Sequence, residues 1–209
     1  MVVGLGTGST AVFAIHALAE RVASGLKIVG IPTSRQSETL ARSLGVHLTD
    51  LQSVDRVDVT IDGADEIDAR TLAVLKGRGG ALVREKLVAT ASECMVIIAD
   101  SSKTVEFLGS EHSVPVEVLP FGWHLPARVL TQLGGNVTLR TISAGNSPFV
   151  SDNGNLILDV SFGPIADPEQ LATSIKAITG VVDHGLFINL ADQALIGTDS
   201  GVKVLTPHR

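Results

Sequence analysis

The residues best suited to chemistry fall in a few short segments. Gly4-Leu5-Gly6-Thr7-Gly8-Ser9-Thr10 offers hydroxyls and backbone N–H groups. Asp62-Gly63-Ala64-Asp65-Glu66-Ile67-Asp68 packs four acids into seven residues. Lys76-Gly77-Arg78-Gly79-Gly80 sets a lysine among glycines, Arg84-Glu85-Lys86 follows it, and Lys103 ends Asp100-Ser101-Ser102-Lys103. The first two segments directly follow apolar runs of strand type. In a parallel α/β sheet the segments after the strands emerge at one carboxyl edge, where ligands bind. Hydroxyls, carboxylates and lysines gathered there suit a small phosphorylated substrate and proton transfer.

Each segment also has a plainer reading. The glycine loop can place free N–H groups of a helix start around an anion, with Thr7, Ser9 and Thr10 as donors. It can equally be a tight βα turn with a Ser cap. It lacks the Gly-Lys-Ser/Thr of a Walker A loop, and Ser9 takes the place of the third glycine of Gly-x-Gly-x-x-Gly. A dinucleotide site also wants an acid after the second strand. Thr33-Ser34-Arg35 stands there instead, which excludes the usual NAD fingerprint and leaves, through Arg35, an NADP oxidoreductase as an alternative. Among the acids, Asp62 leaves a strand directly and is expected to face a cleft, with Asp65 next; Glu66 and Asp68 are expected to be solvated. The spacing is wrong for an EF-hand, and none of the six His pairs at ligand spacing, so no metal is expected. Lys76 can neutralise an oxyanion. From composition alone Glu85 reads as an exposed helix acid between two bases, and Lys103 equally as a surface lysine.

The elements that must position these residues follow from periodicity and stop signals. Residues 9–23 read as a helix through Val12, Ile15, Leu18 and Val22, and Lys27 to Ile31 as a strand. Thr33 to Leu44 reads as a helix opened by a Thr33-x-x-Gln36 capping box. A short strand is expected at 46–48 and another over Val57 to Ile61. Gly80 to Ala91 is a predicted helix with Leu82, Val83, Leu87 and Ala91 on its apolar face, and Cys94 to Ala99 a buried strand. Strands alternating with helices imply a mostly parallel, Rossmann-like α/β sheet covered on both faces. After about residue 112 the order becomes β-α-β-β-α-β, a ferredoxin-like module. It comprises Val114–Val118, a helix over 126–133, a strand over 137–140, a loop at Gly145-Asn146-Ser147-Pro148, a strand along 156–162, a helix opened by Asp167-Pro168, and a last strand from Val181 to Ile188. Residues 194–197 and 202–205 form a hairpin that can return to the first sheet. The expected division is therefore 1–111 plus 190–209 for the α/β domain and 112–189 for the smaller one.

Composition narrows the function. The 209 residues carry 44% apolar residues, 21 Gly and only 3% aromatics, so the core must be Val, Ile, Leu and Ala. A net charge of -6 without any basic block makes a nucleic-acid partner unexpected. Apolar runs fall far short of the roughly 20 residues of a membrane span. There is no signal-peptide pattern, and the single Cys94, read as a small buried hydrophobe, fits a reducing, cytoplasmic compartment. Val2-Val3 is a very short start for the first strand, which suggests a missing upstream segment.

Together the motifs resemble ribose-5-phosphate isomerase type A over nearly the whole chain. The residues concerned are 4–10, Asp62 to Glu66, Lys76 to Lys86, Ala99-Asp100-Ser101-Ser102-Lys103, Pro115-Val116-Glu117-Val118 and Asp152-Asn153-Gly154-Asn155. The resemblance implies interconversion of D-ribose 5-phosphate and D-ribulose 5-phosphate in the non-oxidative pentose phosphate pathway, without cofactor, by a cytoplasmic homodimer or homotetramer. It implies Glu85 as the proton shuttle, Asp62 and Asp65 on substrate hydroxyls, and Lys76 on the enediolate. Thr7, Gly8, Ser9, Thr10, Gly63, Ala64, Gly77, Arg78, Gly79 and Lys103 would complete the substrate site. The chain departs from the family in its short amino end, in Arg78 where a glycine is more usual, and in a longer loop at 141–149. A non-catalytic sugar-phosphate sensor is the further alternative; it should lack the Asp/Lys/Glu set that this chain keeps.

Overall fold

The computed structural model describes residues 1–142 and 147–207. The Gly145-Asn146 half of the expected loop lies outside the described residues. The larger sheet has six strands. They are β1 (Val2–Leu5), β2 (Val29–Pro32), β3 (Val59–Asp62), β6 (Met95–Asp100), β13 (Gln193–Thr198) and β14 (Gly201–Leu205), in the order β14-β13-β6-β3-β1-β2. All neighbours are parallel except the β13–β14 hairpin, which returns to the sheet by pairing β13 with β6. Helix α1 (Ser9–Ala23) lays Ile15 and Ala19 on Val3 and Leu5. On the opposite pleat, Gly4 faces Thr60 and Val88 of α3 (Leu82–Thr90). The sheet is thus covered on both faces by helices, as its continuous apolar strands require.

A second sheet, antiparallel throughout, contains β8 (Val114–Val118), β9 (Asn136–Leu139), β10 (Leu156–Ser161) and β11 (Val181–His184) in the order β11-β8-β10-β9. With α4 (His124–Gln132) and α5 (Pro168–Lys176) it forms the expected β-α-β-β-α-β module. Asp167 caps α5 by accepting the Gln170 N–H at 2.9 Å. Glu117, wholly buried on β8, accepts from Ser151, Asn153 and Asn155 through Oε1 and so shapes the 151–155 turn.

Several elements differ from expectation. The helix α2 (Arg35–Ser43) is capped by Ser34 with Ser37, not by Thr33 with Gln36. The Thr33 hydroxyl is buried and donates to Leu5 O at 2.9 Å, so it is unavailable. The expected strand at 46–48 shrinks to an isolated bridge between Gly30 and Leu48. The buried face of α3 is Leu82, Glu85, Val88 and Ala89, while Leu87 is 55% exposed. Cys94 precedes its strand and is only partly buried.

A third sheet was not foreseen. It joins β4 (Glu66–Asp68), β5 (Val74–Leu75), β7 (Thr104–Val105) and β12 (Leu186–Phe187) in the order β12-β5-β4-β7. The expected strand from Val181 to Ile188 therefore splits in two, β11 serving one sheet and β12 another. This sheet also buries the two acids expected to be solvated. Glu66 accepts backbone N–H groups of Gly109, Glu111 and His112, and Asp68 those of Arg70 together with the Thr71 hydroxyl. A buried carboxylate is tolerated when donors replace its water.

Candidate active site

The carboxyl ends of β1, β3, β5 and β6 open on one cavity of about 380 Å³. Residues 7–10, 63–65, 76–79, Glu85 and Lys103 line it. Every segment singled out for chemistry meets there. Helix α1 starts at the cavity with no side-chain cap and no acid in its first turn, so the Ser9 cap is absent. Its first N–H groups remain as anion donors. The Thr7 hydroxyl is engaged elsewhere, donating to Ser34 Oγ at 2.8 Å and lying 2.8 Å from Thr33 Oγ1. Arg78 donates its backbone N–H to Asp65 Oδ2 at 3.1 Å and rests its guanidinium 3.2 Å from His112 Nε2.

At the floor sits a buried triad. Lys76 Nζ lies 2.9 Å from Asp62 Oδ2 and 3.1 Å from Glu85 Oε1, and donates to Gly63 O at 2.5 Å. The three residues are 2%, 0% and 4% exposed. Asp62, expected to face the cleft, lies instead beneath Lys76. Its Oδ1 accepts the N–H groups of Thr7 and Gly63. Gly6 is required beside it, because a Cβ there would stand 2.2 Å from Asp62 Oδ1. Gly77 turns the chain at φ +98°, a conformation that glycine adopts freely.

The titratable groups in this floor are two carboxyls and one ammonium. Burial alone would strip the proton from Lys76, but Asp62 and Glu85 outweigh it and hold the ammonium well above its ordinary range. Asp62 has two backbone donors besides the lysine; among the described residues Glu85 has only the lysine, and its Oε2 has no partner. Burial therefore pushes the Glu85 carboxyl up to about 8, against the pull of Lys76. A carboxylate with an unengaged oxygen at a cavity and an affinity for protons near neutrality has the properties a general base needs.

Sequence reasoning missed what holds Glu85. Its neighbours are fasteners: Arg84 donates to Asn153 Oδ1 and Asp152 O, and Lys86 donates to Asp183 Oδ1 and His184 O. With both bases tied to the antiparallel module, Glu85 turns inward. The Phe187 ring lies 5.6 Å from Lys76 Nζ and 4.9 Å from Lys86 Nζ. Only the Arg-Glu-Lys triplet itself signalled these ties. No group of three or more His, Cys, Asp or Glu among the described residues is placed to hold a metal ion. No helix among them is long and apolar enough to cross a membrane.

A mainly parallel α/β sheet with an antiparallel module and an acid–lysine–acid floor defines an isomerase-type sugar-phosphate site. Residues 29–201 match the family described as Ribose 5-phosphate isomerase A (phosphoriboisomerase A), and the chain belongs to that family. It is 54% identical to the Ribose-5-phosphate isomerase A of Thermomicrobium roseum, over 100% of this chain and 88% of the relative. Among solved structures it superposes on ribose 5-phosphate isomerase A from Methanocaldococcus jannaschii with a TM-score of 0.94 at 40% identity, covering 99% of this chain and 91% of that one. A structure of D-ribose-5-phosphate isomerase in complex with phospho-erythronic acid gives a TM-score of 0.95 at 38% identity, covering 99% and 90%.

Proposed function

We propose that this chain interconverts D-ribose 5-phosphate and D-ribulose 5-phosphate through an enediolate. The observation that carries the reading is the unpartnered Glu85 Oε2, placed at the cavity beside the Lys76 ammonium. Glu85 takes the proton from C2 of the open-chain aldose and returns it to C1, while a proton passes from the C2 oxygen to the C1 oxygen. Lys76 holds the developing oxyanion in a dry site, where a fixed cation is most effective. Asp62 keeps Lys76 charged and placed; Asp65 reaches substrate hydroxyls. The free N–H groups of α1, with Ser9, Thr10 and Lys103, take the phosphate. Gly8, Gly63, Ala64, Gly77, Arg78 and Gly79 form the remaining wall.

The chemistry needs no cofactor or metal. We further propose a cytoplasmic homodimer or homotetramer, with residues 1–111 plus 190–209 as the catalytic domain and 112–189 as the smaller one. The test is a coupled assay on ribose 5-phosphate in EDTA. Turnover that persists supports the reading. No turnover, or turnover restored only by a divalent cation or NADP, refutes it.

A further inference from the structure

The antiparallel module sends one side chain onto the catalytic loop. Arg140, following β9, grips Asp159 of β10 with Nε at 2.9 Å from Oδ2 and Nη2 at 2.5 Å from Oδ1. Its remaining arm, Nη1, donates to Gly77 O at 3.1 Å and to Arg78 O at 2.9 Å. The Arg140 side chain is only 13% exposed, and its guanidinium carbon lies 5.7 Å from the Phe149 ring centroid. A bidentate carboxylate fixes the plane of a guanidinium, so the direction of Nη1 is set before it meets the loop.

Arg140 fixes the peptide plane that carries Arg78 O and, together with the Gly80 N–H at 2.9 Å from Gly77 O, the plane before it. In a trans peptide the N–H points opposite to the C=O. Turning Gly77 O toward Arg140 sends the Arg78 N–H away, where it meets Asp65 Oδ2. Turning Arg78 O the same way sends the Gly79 N–H away from Arg140. Gly79 lines the catalytic cavity, and among the described residues its N–H has no acceptor.

We infer that Arg140, braced by Asp159, is a positioning residue that locks the Gly77–Arg78 carbonyls and so holds the Gly79 N–H ready as a donor to the enediolate oxygen. The inference rests on the isomerase reading above. Arg140 is not among the residues that line the catalytic cavity; it acts through the loop beside Lys76. A cation on the carbonyl side also polarises the peptide and strengthens the donor on the other side.

The test compares Arg140→Gln, Arg140→Lys and Asp159→Asn with wild type. Arg140→Gln is expected to lower kcat by about tenfold to a hundredfold, less than outright loss of an oxyanion donor costs, with KM for ribose 5-phosphate within about threefold. Arg140→Lys should restore little, because one ammonium cannot span a carboxylate and two carbonyls. Asp159→Asn should lose kcat in the same sense, and it decides the matter if Arg140→Gln does not fold. Phospho-erythronate, whose planar carboxylate stands in for the enediolate oxygens, should bind more weakly by the same factor as kcat falls, while competition by inorganic phosphate stays unchanged. Wild-type kcat in folded variants overturns the inference, and so does an equal weakening of phosphate. A wild-type enzyme inactive on ribose 5-phosphate would overturn the functional reading with it; active wild type with indifferent variants overturns the positioning role alone.

Discussion

Glu85 and Lys76 meet through one carboxylate oxygen: Oε1 stands 3.1 Å from the ammonium, and Oε2 is left without a partner among the described residues. The lysine thus fixes the proposed base in place and leaves its second oxygen unengaged. One end is tethered, and the other is free to reach a carbon acid. Replacing Glu85 by Gln keeps the tether through the amide oxygen and removes the base. Glu85→Gln is expected to lower kcat by about two to three orders of magnitude with substrate binding retained. Steady-state kinetics with equilibrium binding of ribose 5-phosphate checks it, and near-wild-type turnover would rule out the proton shuttle.

The raised proton affinity of Glu85 has a sign for stability as well. Burial lifts its carboxyl from 4.5 to about 8. The folded state then binds more protons than the unfolded state between those values, so this component of stability falls as pH rises from about 4.5 to about 8. Urea unfolding across that window should show the fall in wild type and a flatter curve in Glu85→Gln. In the free enzyme kcat/KM should rise with pH toward about 8 as the base ionises.

Lys76 contacts two buried acids at once. Lys76→Met would leave Asp62 and Glu85 facing each other without a cation, and removing one partner of a buried pair costs about 3–5 kcal/mol. Thermal unfolding should show a large drop in Tm. Adding Asp62→Asn to that variant should recover part of it without recovering activity. A Lys76→Met protein as stable as wild type would contradict the triad.

On the acid side the sensitive group is His184. Burial, aided by the Lys86 ammonium, pushes its imidazole down from 6.5 to about 4. The contribution of neutral His184 is complete above 6.5 and is lost as pH falls from there toward about 4. His184→Asn should flatten the stability profile in that window, measured by denaturant unfolding at pH 7 and pH 5. An unchanged slope would mean that His184 titrates freely.

Much of the site was legible because strand ends are. Residues 7–10, 63–65, 76–79 and Lys103 share one cavity since each follows, or closely follows, a strand of the larger or the third sheet. What was not legible depended on pairing between distant segments. Glu66 reads as solvated until the 109–112 segment supplies its partners, and Asp68 until the third sheet buries it beside its local donors Arg70 and Thr71. The apolar face of α3 was placed through Leu87, although ties from Arg84 and Lys86 rotate that residue outward and Glu85 inward. No local periodicity encodes such ties.

The pairing of β5 with β12 carries a consequence for biosynthesis. Lys76 leaves β5 directly, its N–H donates to Gly185 O, and its ammonium lies beside the Phe187 ring. On a ribosome these partners arrive only when most of the polypeptide has been made. Until then the Asp62 carboxylate has its loop but no ordered cation, and the catalytic floor cannot close. The nascent chain can therefore assemble its first strands early, whereas the floor around Lys76 closes only once the segment around residue 187 is free to pair with β5.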